Sequence, residues 1–529
     1  MTERLSFNLV DEPWIPVSML DGSDAELSLR DLFARAHEAR GFNEPSPLTY
    51  ISVARFLLAI AHRALEGPRS ARHWVEIWQG EQFDVETFDA YFDQWHHRFD
   101  LFDPDVPFAQ APRSGFEADE RTKALSKLGL ELASGTNATL FDHSADRNIE
   151  DVSPAFAARM ILTACNFGFG EGGIYRDTTL VRFAIFLLEG SNLFDTLMLN
   201  LQPYDPNQSL SSGLDSPWWE SDAPLTEVKD ETPPRGLTDH LTRRGRKVLL
   251  QTQDDGAITG MYYRPGLTFD ASQEGSDPFF AWQMNKEEKL TPLRLRKDRA
   301  LWRDSTVLFQ TSKAAEVGAA RSLRPMFLDN VATLSDEIED HPGLRSFPPL
   351  KIMAFGLVSR PGQASAQLWR TERLPLPLEV VLNSDAFETV HHAIAIAEKA
   401  GDVLRRAGNT LAVGLLTSGD RKPDKADVMN RLTLLRIGER YWPQLEPRFH
   451  AFLERLEDPD TALDKWIADV RYIARQAYKD AALVVEVGAQ GMRASMRGER
   501  SLNWGLRHLL DEHQSVGTET SQHREVTAS

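Results

Sequence analysis

The hydrophobic pattern changes at Leu374-Pro375-Leu376-Pro377, and this change constrains the fold more than any other feature of the chain. Before it, short apolar runs alternate with turn residues and with separate helical stretches, a mixture typical of α+β domains. After it, helical periodicity is almost continuous from residue 385, with breaks at Gly, Pro or Asp-Pro, which predicts an up-and-down bundle. We therefore predict an α+β protein with a large mixed N-terminal domain over 1–375, a C-terminal four-helix-type bundle over 376–515 and a disordered polar tail over 516–529.

The composition excludes several classes of protein. Of the 529 residues, 42% are hydrophobic and 26% charged, as in ordinary globular proteins. The formal charge of −19 argues against a coat on nucleic acid or on an anionic membrane, but not against a local basic groove. A single cysteine, Cys165, excludes a disulfide framework and fits a reducing compartment. No signal peptide and no apolar window of ~20 residues occurs, so we expect a cytoplasmic protein that makes no membrane contact.

Several local elements can be predicted in the mixed domain. Ser28 is a suitable N-cap for a helix that starts near Leu29. Residues 47–65 and 154–166 have helical periodicity, whereas 354–369 predicts a hairpin with Arg360-Pro361-Gly362-Gln363 at its tip. Strand and helix are both open for residues 178–188, because the apolar run there has no decisive period.

A glycine cluster follows the second of these helices. Gly168, Gly170 and Gly173 formally satisfy G-x-G-x-x-G, but a dinucleotide-binding loop needs a strand before the glycines. The preceding residues are helical, so a nucleotide-binding hydrolase is kept only as the alternative function. Together with Gly172, these glycines permit close approach of backbone amides to a phosphate or a groove edge. A tight helix-to-strand corner explains the same glycines equally well.

Basic residues are concentrated between Lys286 and Arg303, a segment that contains seven basic and three acidic residues. Arg294 and Arg296 alternate with leucines, so they would share one face if this segment is extended. Phosphate contact is one interpretation, and a solvated face with ion pairs is the other. Arg243, Arg244, Arg246 and Lys247 form a second basic run with the same two interpretations.

The sequence contains no recognisable catalytic constellation. His96-His97 and His391-His392 lack the i, i+4 spacing of helical zinc ligands, and H-E-x-x-H, Walker A and G-x-S-x-G patterns do not occur. Cys165 ends an apolar helical run, which indicates a buried, inert thiol. We therefore expect no enzymatic activity, no catalytic residues, no metal and no cofactor.

The opening sequence from Phe7 to Val17, FNLVDEPWIPV, resembles that of the CasA family, the large subunits of type I-E CRISPR Cascade complexes. Further elements of that family follow in the same order along nearly the whole chain. They are Val106-Pro107-Phe108-Ala109-Gln110, Ser134-Gly135-Thr136-Asn137, the glycine cluster at 168–173, Gly362-Gln363-Ala364-Ser365 and a C-terminal helical bundle.

The resemblance implies a role in DNA surveillance. CasA-like subunits recognise the protospacer-adjacent motif in double-stranded DNA from the minor groove, help open the duplex for guide-RNA pairing, and support recruitment of a helicase–nuclease. The implied partners are therefore target DNA, the other Cascade subunits with their guide RNA, and the helicase–nuclease. The implied DNA-binding residues are Gly168, Phe169, Gly170, Gly172, Gly173, Asn137, Arg264, Lys286 and Gln363, with Gln363 as a wedge between bases and Arg264 nearest to the family's groove lysine.

Overall fold

The structure is a computed structural model. It describes residues 5–128, 152–170, 177–204, 215–222, 225, 233–253, 256–269, 277–309, 322–341, 343–359, 366–417, 423–485 and 488–527. Side chains are described within these ranges except at residues 359, 366–367 and 509–527.

Within the described ranges, the chain contains both strands and helices as far as residue 376, and only helices after it. The strands are β1 Ile15–Met19, β2 Asp24–Leu27, β3 Ala39–Phe42, β4 Ile185–Glu189, β5 Arg246–Thr252, β6 Ile258–Pro265, β7 Trp282–Met284, β8 Leu290–Pro292, β9 Ser322–Leu323, β10 Leu350–Ser359 and β11 Ala366–Leu376. The helices are α1 Leu29–Arg35, α2 Pro47–Ala64, α3 Ala71–Gln79, α4 Val85–Trp95, α5 Pro154–Phe167, α6 Leu193–Asn200, α7 Leu237–Leu241, α8 Thr306–Phe309, α9 Met326–Glu339, α10 Leu378–Leu382, α11 Ser384–Leu416, α12 Lys425–Leu435, α13 Ile437–Leu453, α14 Pro459–Leu483 and α15 Gly488–Thr527. This order confirms the predicted α+β class with a C-terminal helical bundle.

The chain divides into two compact units. The first comprises Met1–Leu301 and Val307–Leu376, and the second comprises Trp302–Thr306 and Pro377–Ser529. Small antiparallel sheets build the first unit, with the strand orders β2-β1-β3, β11-β10-β4, β5-β6 and β8-β7-β9. None of the helices in the described ranges has the length and apolar content needed to cross a membrane.

Helix α2 forms the core of the first unit, and residues on every one of its faces are buried. The helix begins as predicted, with Ser46 as N-cap and Pro47 in the first turn. Its buried Arg55 requires an anionic partner. Asp277 provides it, 2.9 Å from Arg55 Nη1, and also lies 2.7 Å from His240 Nε2. Burial alone would raise the pKa of the Asp277 carboxyl, but the Arg55 guanidinium and the contact with His240 hold it well below its usual range.

The opening sequence forms a turn that is fastened to the core. Asn8 accepts a hydrogen bond from the Val10 N–H (3.0 Å) and donates one to the carbonyl of His96 (2.9 Å). The Trp14 indole donates to the Leu9 carbonyl at 3.1 Å, and its ring is fully buried. Aromatic rings from two other elements, Phe56 and Phe108, pack edge-on against that ring. The residues that carry the family resemblance here are therefore structural.

The second resembling segment, Val106 to Gln110, also has a structural role. Gln110 is buried, and its amide nitrogen donates to the carbonyl of Leu101 at 2.8 Å. Its amide oxygen accepts from the backbone N–H of Leu250 at 2.7 Å. One side chain thus satisfies backbone groups of a loop and of strand β5, which would otherwise be buried without partners.

The second unit is organised around α11, a helix of 33 residues that packs against α12, α13, α14 and α15. A helix break is expected at Pro443, yet α13 continues from Ile437 through this proline. Proline inside a helix costs about 3 kcal/mol. Tertiary packing offsets this cost, because Tyr441, Leu445 and Phe449 of the same helix are completely buried.

The final helix α15 spans Gly488–Thr527 and includes most of the 516–529 segment. The composition of that segment predicts disorder, and this stays a prediction.

A short piece of chain from the N-terminal part belongs to the second unit. Trp302 is buried there, with its ring 4.9 Å from that of Phe449 and 6.0 Å from that of Trp466. The adjacent Arg303 forms a bidentate pair with Glu398, at 2.9 Å for both hydrogen bonds. These contacts make residues 302–306 part of the bundle core.

We expect Trp302→Ala to destabilise the second unit by ~3–5 kcal/mol, because it removes a buried aromatic ring and leaves a cavity. Hydrogen exchange of the amides in α13 and α14 measures this loss. The matched control is Trp504→Ala, since Trp504 is 66% exposed and its removal should change stability by less than about 0.5 kcal/mol. Equal protection of α13 in both variants would contradict the assignment of Trp302 to the bundle.

Candidate nucleic-acid interface

The glycine cluster begins where α5 ends. Helix α5 runs to Phe167, and Gly168 caps its C-terminus with an extended backbone. The prediction of a helix before the cluster is therefore confirmed. A helix C-terminus presents carbonyl groups, whereas a dinucleotide loop uses the amides of a helix N-terminus. The residues Gly168, Phe169 and Gly170 are named the glycine corner below.

Arg246, the first residue of β5, holds this corner in place. Its guanidinium is completely buried and donates to the carbonyls of Gly168 (2.7 Å) and Phe169 (2.9 Å). It also donates to the Tyr263 hydroxyl of β6 at 3.1 Å. A cation at the C-terminal end of α5 also complements the helix dipole. The corner is thus attached to the β5–β6 hairpin by charge-assisted hydrogen bonds.

Close approach explains the glycine at position 168. A Cβ atom there would lie 2.6 Å from Arg246 Nε, 2.8 Å from the Tyr263 hydroxyl and 3.0 Å from the carbonyl of Ala164. The backbone conformation itself suits any residue, so the requirement is steric. The interpretation as a tight corner therefore applies at Gly168. The interpretation as a surface for close approach stays open, since Phe169 and Gly170 are only half-buried.

Asp177 lies on the chain that leaves the corner, and each of its two carboxylate oxygens accepts a hydrogen bond. One carboxylate oxygen accepts from the Gly170 N–H at 2.9 Å. The other accepts from Arg182 Nε at 2.7 Å. In addition, the Thr178 N–H donates to the carbonyl of Gly168 at 2.8 Å. The outgoing chain is thereby fastened to the corner at two points.

The basic segment crosses the sheet β11-β10-β4 close to the corner. The carbonyl of Leu293 accepts from the Ala184 N–H at 2.8 Å, just before β4 begins. Leu295 lies against Gly356 of β10, where a Cβ would be 3.1 Å from Leu295 Cδ1. Leu293 and Leu295 are buried, whereas Arg294 between them is exposed. The segment is extended without being a strand of the sheet, and the predicted alternation is confirmed.

The tip side of the β10–β11 hairpin lies at the end of the sheet where β4 begins. Strand β4 starts at Ile185, which pairs with Phe355, and β4 is antiparallel to β10. The C-terminal end of β10, Ser359, therefore points to the end of the sheet where β4 begins. Strand β11 pairs antiparallel with β10 over its whole length, which confirms the predicted hairpin. The chain from the glycine corner enters the sheet at that end.

Comparison with known proteins decides the family. The family model for CRISPR-associated protein Cse1 matches residues 8–477. The chain is 32% identical over 523 residues to the CRISPR-associated protein CasA/Cse1 of Thermus thermophilus, with 96% of this chain and 98% of that protein covered. The chain belongs to the Cse1 family.

Solved structures agree with this assignment. A crystal structure of Thermus thermophilus CasA superposes with a TM-score of 0.80 at 29% identity, covering 95% of this chain and 100% of that one. A chain of a structure titled CRISPR RNA-guided surveillance complex has the same fold, with a TM-score of 0.72 at 22% identity over 94% of this chain and 99% of that one.

Two further expected DNA-binding residues of this Cse1-family protein lie within the described ranges, and their roles stay predictions. Arg264 lies in β6, with its guanidinium 2.8 Å from a Glu120 oxygen and also paired with Glu117. Lys286 is exposed in the turn between β7 and β8. Four expected residues lie outside the described residues, and their roles stay predictions. They are Asn137, Gly172, Gly173 and Gln363.

The second basic run of the Cse1-family chain is internal. Arg243 and Lys247 are buried with Arg246, and the Lys247 ammonium donates to the Gly115 carbonyl at 2.6 Å. Burial lowers the pKa of Arg244 to about 10. These residues form folding contacts, so the interpretation as a phosphate-binding run is wrong.

The structure agrees with the prediction that the thiol of Cys165 is buried and inert. Cys165 is buried, and burial raises its pKa to about 11, which disfavours the reactive thiolate. Across the described ranges, no group of three or more His, Cys, Asp or Glu side chains is arranged to hold a metal ion.

Sequence reasoning missed Arg182, which stands outside both basic runs. The signal that could have found it is chain order, because Arg182 lies between the glycine cluster and the first residue of β4. In the fold its Nε donates to Asp177, which also accepts from the Gly170 N–H, so Arg182 is linked to the glycine corner.

We expect Gly168→Ala to destabilise the first unit by ~1–3 kcal/mol, because the new methyl group overlaps Arg246 and Tyr263. The midpoint of thermal unfolding measures this effect. Gly41→Ala in β3 is the matched control, since a Cβ there meets no atom within 4 Å. A Gly168→Ala protein as stable as the control would contradict the described corner.

Proposed function

We propose that this protein is the large subunit of a type I-E CRISPR Cascade complex, in which it recognises the protospacer-adjacent motif of double-stranded DNA. Family membership over nearly the whole chain supports the proposal. The observation that carries the DNA-binding part is the glycine corner, which is linked through Asp177 to the half-exposed Arg182 near the start of β4.

The corner suits a minor groove for steric reasons. The groove is only ~6 Å wide, and it admits backbone more easily than bulky side chains. The buried Gly168 would hold the corner in place for DNA binding, whereas the half-exposed Phe169 and Gly170 would contact the groove, assisted by Gly172 and Gly173. The base-edge pattern in this groove is degenerate, so reading by backbone predicts tolerance of several related motifs.

Gln363 would separate the base pairs beside the motif. Strands β10 and β11 form a long antiparallel hairpin that pairs from Leu350–Leu376 to Ser359–Ala366. Such a hairpin gives a rigid base for a side chain that enters the stack. Unstacking one step costs a few kcal/mol, which contacts to the opened duplex must offset.

Basic and polar residues would supply the remaining DNA contacts. Lys286 lies on an exposed turn, so its ammonium can neutralise a phosphate without first leaving a buried position. Arg264 would exchange Glu120 for DNA, so its contribution to affinity should be smaller. Asn137 would contact DNA from the segment that includes the Ser134-Gly135-Thr136 element of the family.

The proposed partners follow from the same assignment. They are the other Cascade subunits with their guide RNA, and a helicase–nuclease that acts on the opened target. A relative of the same fold occurs in a structure titled CRISPR RNA-guided surveillance complex. With a net charge of −19, the free chain should bind nucleic acid weakly outside such an assembly. We propose a non-enzymatic role in the cytoplasm.

A nucleotide-binding hydrolase is the alternative function, and the local geometry disfavours it. The Gly168 and Phe169 carbonyls face Arg246, and the helix before them presents its C-terminal end. A phosphate cradle needs converging amide donors. Equilibrium binding of ATP and NAD to the purified chain distinguishes the two functions, and we expect no binding at millimolar nucleotide.

Gly170→Asp should abolish preference for motif-containing DNA in the assembled complex. The new carboxylate repels phosphate and crowds the groove, so we expect a roughly tenfold or greater loss, as for a lost specific contact of about 1–3 kcal/mol. Binding titrations with and without the motif measure the preference. Gly41→Asp adds the same charge elsewhere in the first unit, and this variant should keep the preference for motif-containing DNA. Normal motif preference in Gly170→Asp would refute the role of the corner.

Gln363→Ala should slow opening of the duplex roughly tenfold while leaving binding to pre-opened DNA unchanged, because only unstacking is impaired. Fluorescence of 2-aminopurine placed beside the motif reports opening. Gln251→Ala removes the same type of side chain from an exposed position of β5 and is the control. Unchanged opening in Gln363→Ala would favour a purely structural subunit.

A further inference from the structure

Arg182 and Arg294 come from different parts of the chain, and their charges lie close enough to interact. The Ala184 N–H donates to the Leu293 carbonyl at 2.8 Å, so the two chain segments are backbone neighbours. Arg182 precedes Ala184 by two residues, and Arg294 follows Leu293 directly. The Arg294 guanidinium also lies over the ring of Phe183, 5.4 Å from its centroid. Arg182 pairs with Asp177, whose other oxygen accepts from the Gly170 N–H of the glycine corner.

Positive charge exceeds negative charge around these two arginines. Burial lowers the pKa of Arg294, and the nearby charge of Arg182 lowers it further. Among the residues that the structure describes, no carboxylate lies within ion-pair distance of Arg294, and its contact is with an aromatic face. Arg182 has Asp177, but that carboxylate also accepts from the Gly170 N–H. Two cations therefore share one anion.

A single added negative charge would balance the group. A phosphodiester carries one negative charge, and its oxygens accept hydrogen bonds from guanidinium groups in paired geometry. A carboxylate of a partner protein has the same charge, but the glycine corner next to the arginines is the part of the chain proposed to contact DNA. Phosphate is therefore the favoured ligand.

We propose that Arg182 and Arg294 bind one phosphate of the DNA backbone together, at the base of the glycine corner. This inference rests on the proposed function and names the contact that sets the position of the corner along the duplex. Phosphate contacts fix register and orientation without reading sequence. Asp177 is a positioning residue here, because it ties Arg182 and the Gly170 amide to the same carboxylate.

The test uses the salt dependence of DNA binding by the complex assembled with the full-length chain. Each phosphate neutralised contributes about −0.9 to the slope of log K against log salt. We expect Arg182→Gln and Arg294→Gln each to reduce the slope by about 0.9 or less, and the double variant by about 0.9 in total. Affinity should fall equally for DNA with and without the motif. Arg182→Lys should keep most of the slope because the charge remains.

Arg72→Gln is the matched control, since Arg72 is an exposed arginine of α3 whose side chain is 84% exposed. Its slope should equal that of the unaltered complex, and thermal unfolding should be unchanged in all of these variants. An unchanged slope in the double variant would overturn the proposal, and so would two additive reductions of about 0.9 each, which would indicate separate phosphates.

Inorganic phosphate distinguishes the two sources of the ligand. We expect no saturable binding of millimolar phosphate to the complex without DNA. Saturable binding that the double variant loses, with an unchanged DNA slope, would assign the site to free phosphate and overturn the proposal. Loss of motif preference in Gly170→Asp combined with an unchanged slope in the arginine variants would refute this inference alone and leave the proposed function standing.

Discussion

The candidate interface depends on the buried guanidinium of Arg246. It joins the end of α5, 78 residues earlier in the chain, to the β5–β6 hairpin, where it also contacts the Tyr263 hydroxyl. Gly168 has to be glycine because this guanidinium approaches so closely. The carbonyls of Gly168 and Phe169 are directed inward, and the amide of Gly170 is directed to Asp177. These paired groups fix the position of the corner, and the half-exposed Phe169 and Gly170 form its outer surface.

Basic residues serve two purposes in this acidic chain. Those of the 243–247 run are mostly buried and satisfy carbonyls, carboxylates or aromatic faces, so they stabilise the fold. Those of the 286–303 run are exposed as far as Lys297, and buried leucines alternate with Arg294 and Arg296, whereas Arg303 pairs with Glu398 in the second unit. Local density of positive charge does not distinguish these cases. The alternation with leucine does, because a segment that packs its apolar side chains on a sheet must direct the intervening ones to solvent.

The residues of the family resemblance serve two different purposes. Trp14 and Gln110, which belong to the first two resembling segments, are buried and satisfy backbone groups of the first unit. They stabilise the scaffold that supports the candidate interface. The glycine cluster belongs both to the resemblance and to the interface, whereas Asp177 and Arg182 belong to the interface but to none of the resembling segments.

Local periodicity and helix caps were enough to predict the Ser28 cap, the helices that begin at Pro47 and Pro154, the β10–β11 hairpin, the helical bundle and the alternation around Arg294. The glycine corner could also be recognised in the sequence, but whether packing or binding requires it stayed open. Three-dimensional contacts were needed to show that the 243–247 run is internal, that α13 passes through Pro443, and that Trp302 belongs to the bundle. The same is true of the backbone pairing that joins the segment of Arg182 to that of Arg294. These outcomes depend on contacts between residues a hundred or more positions apart, or on burial that offsets an unfavourable local preference, and neither is encoded in a short window of sequence.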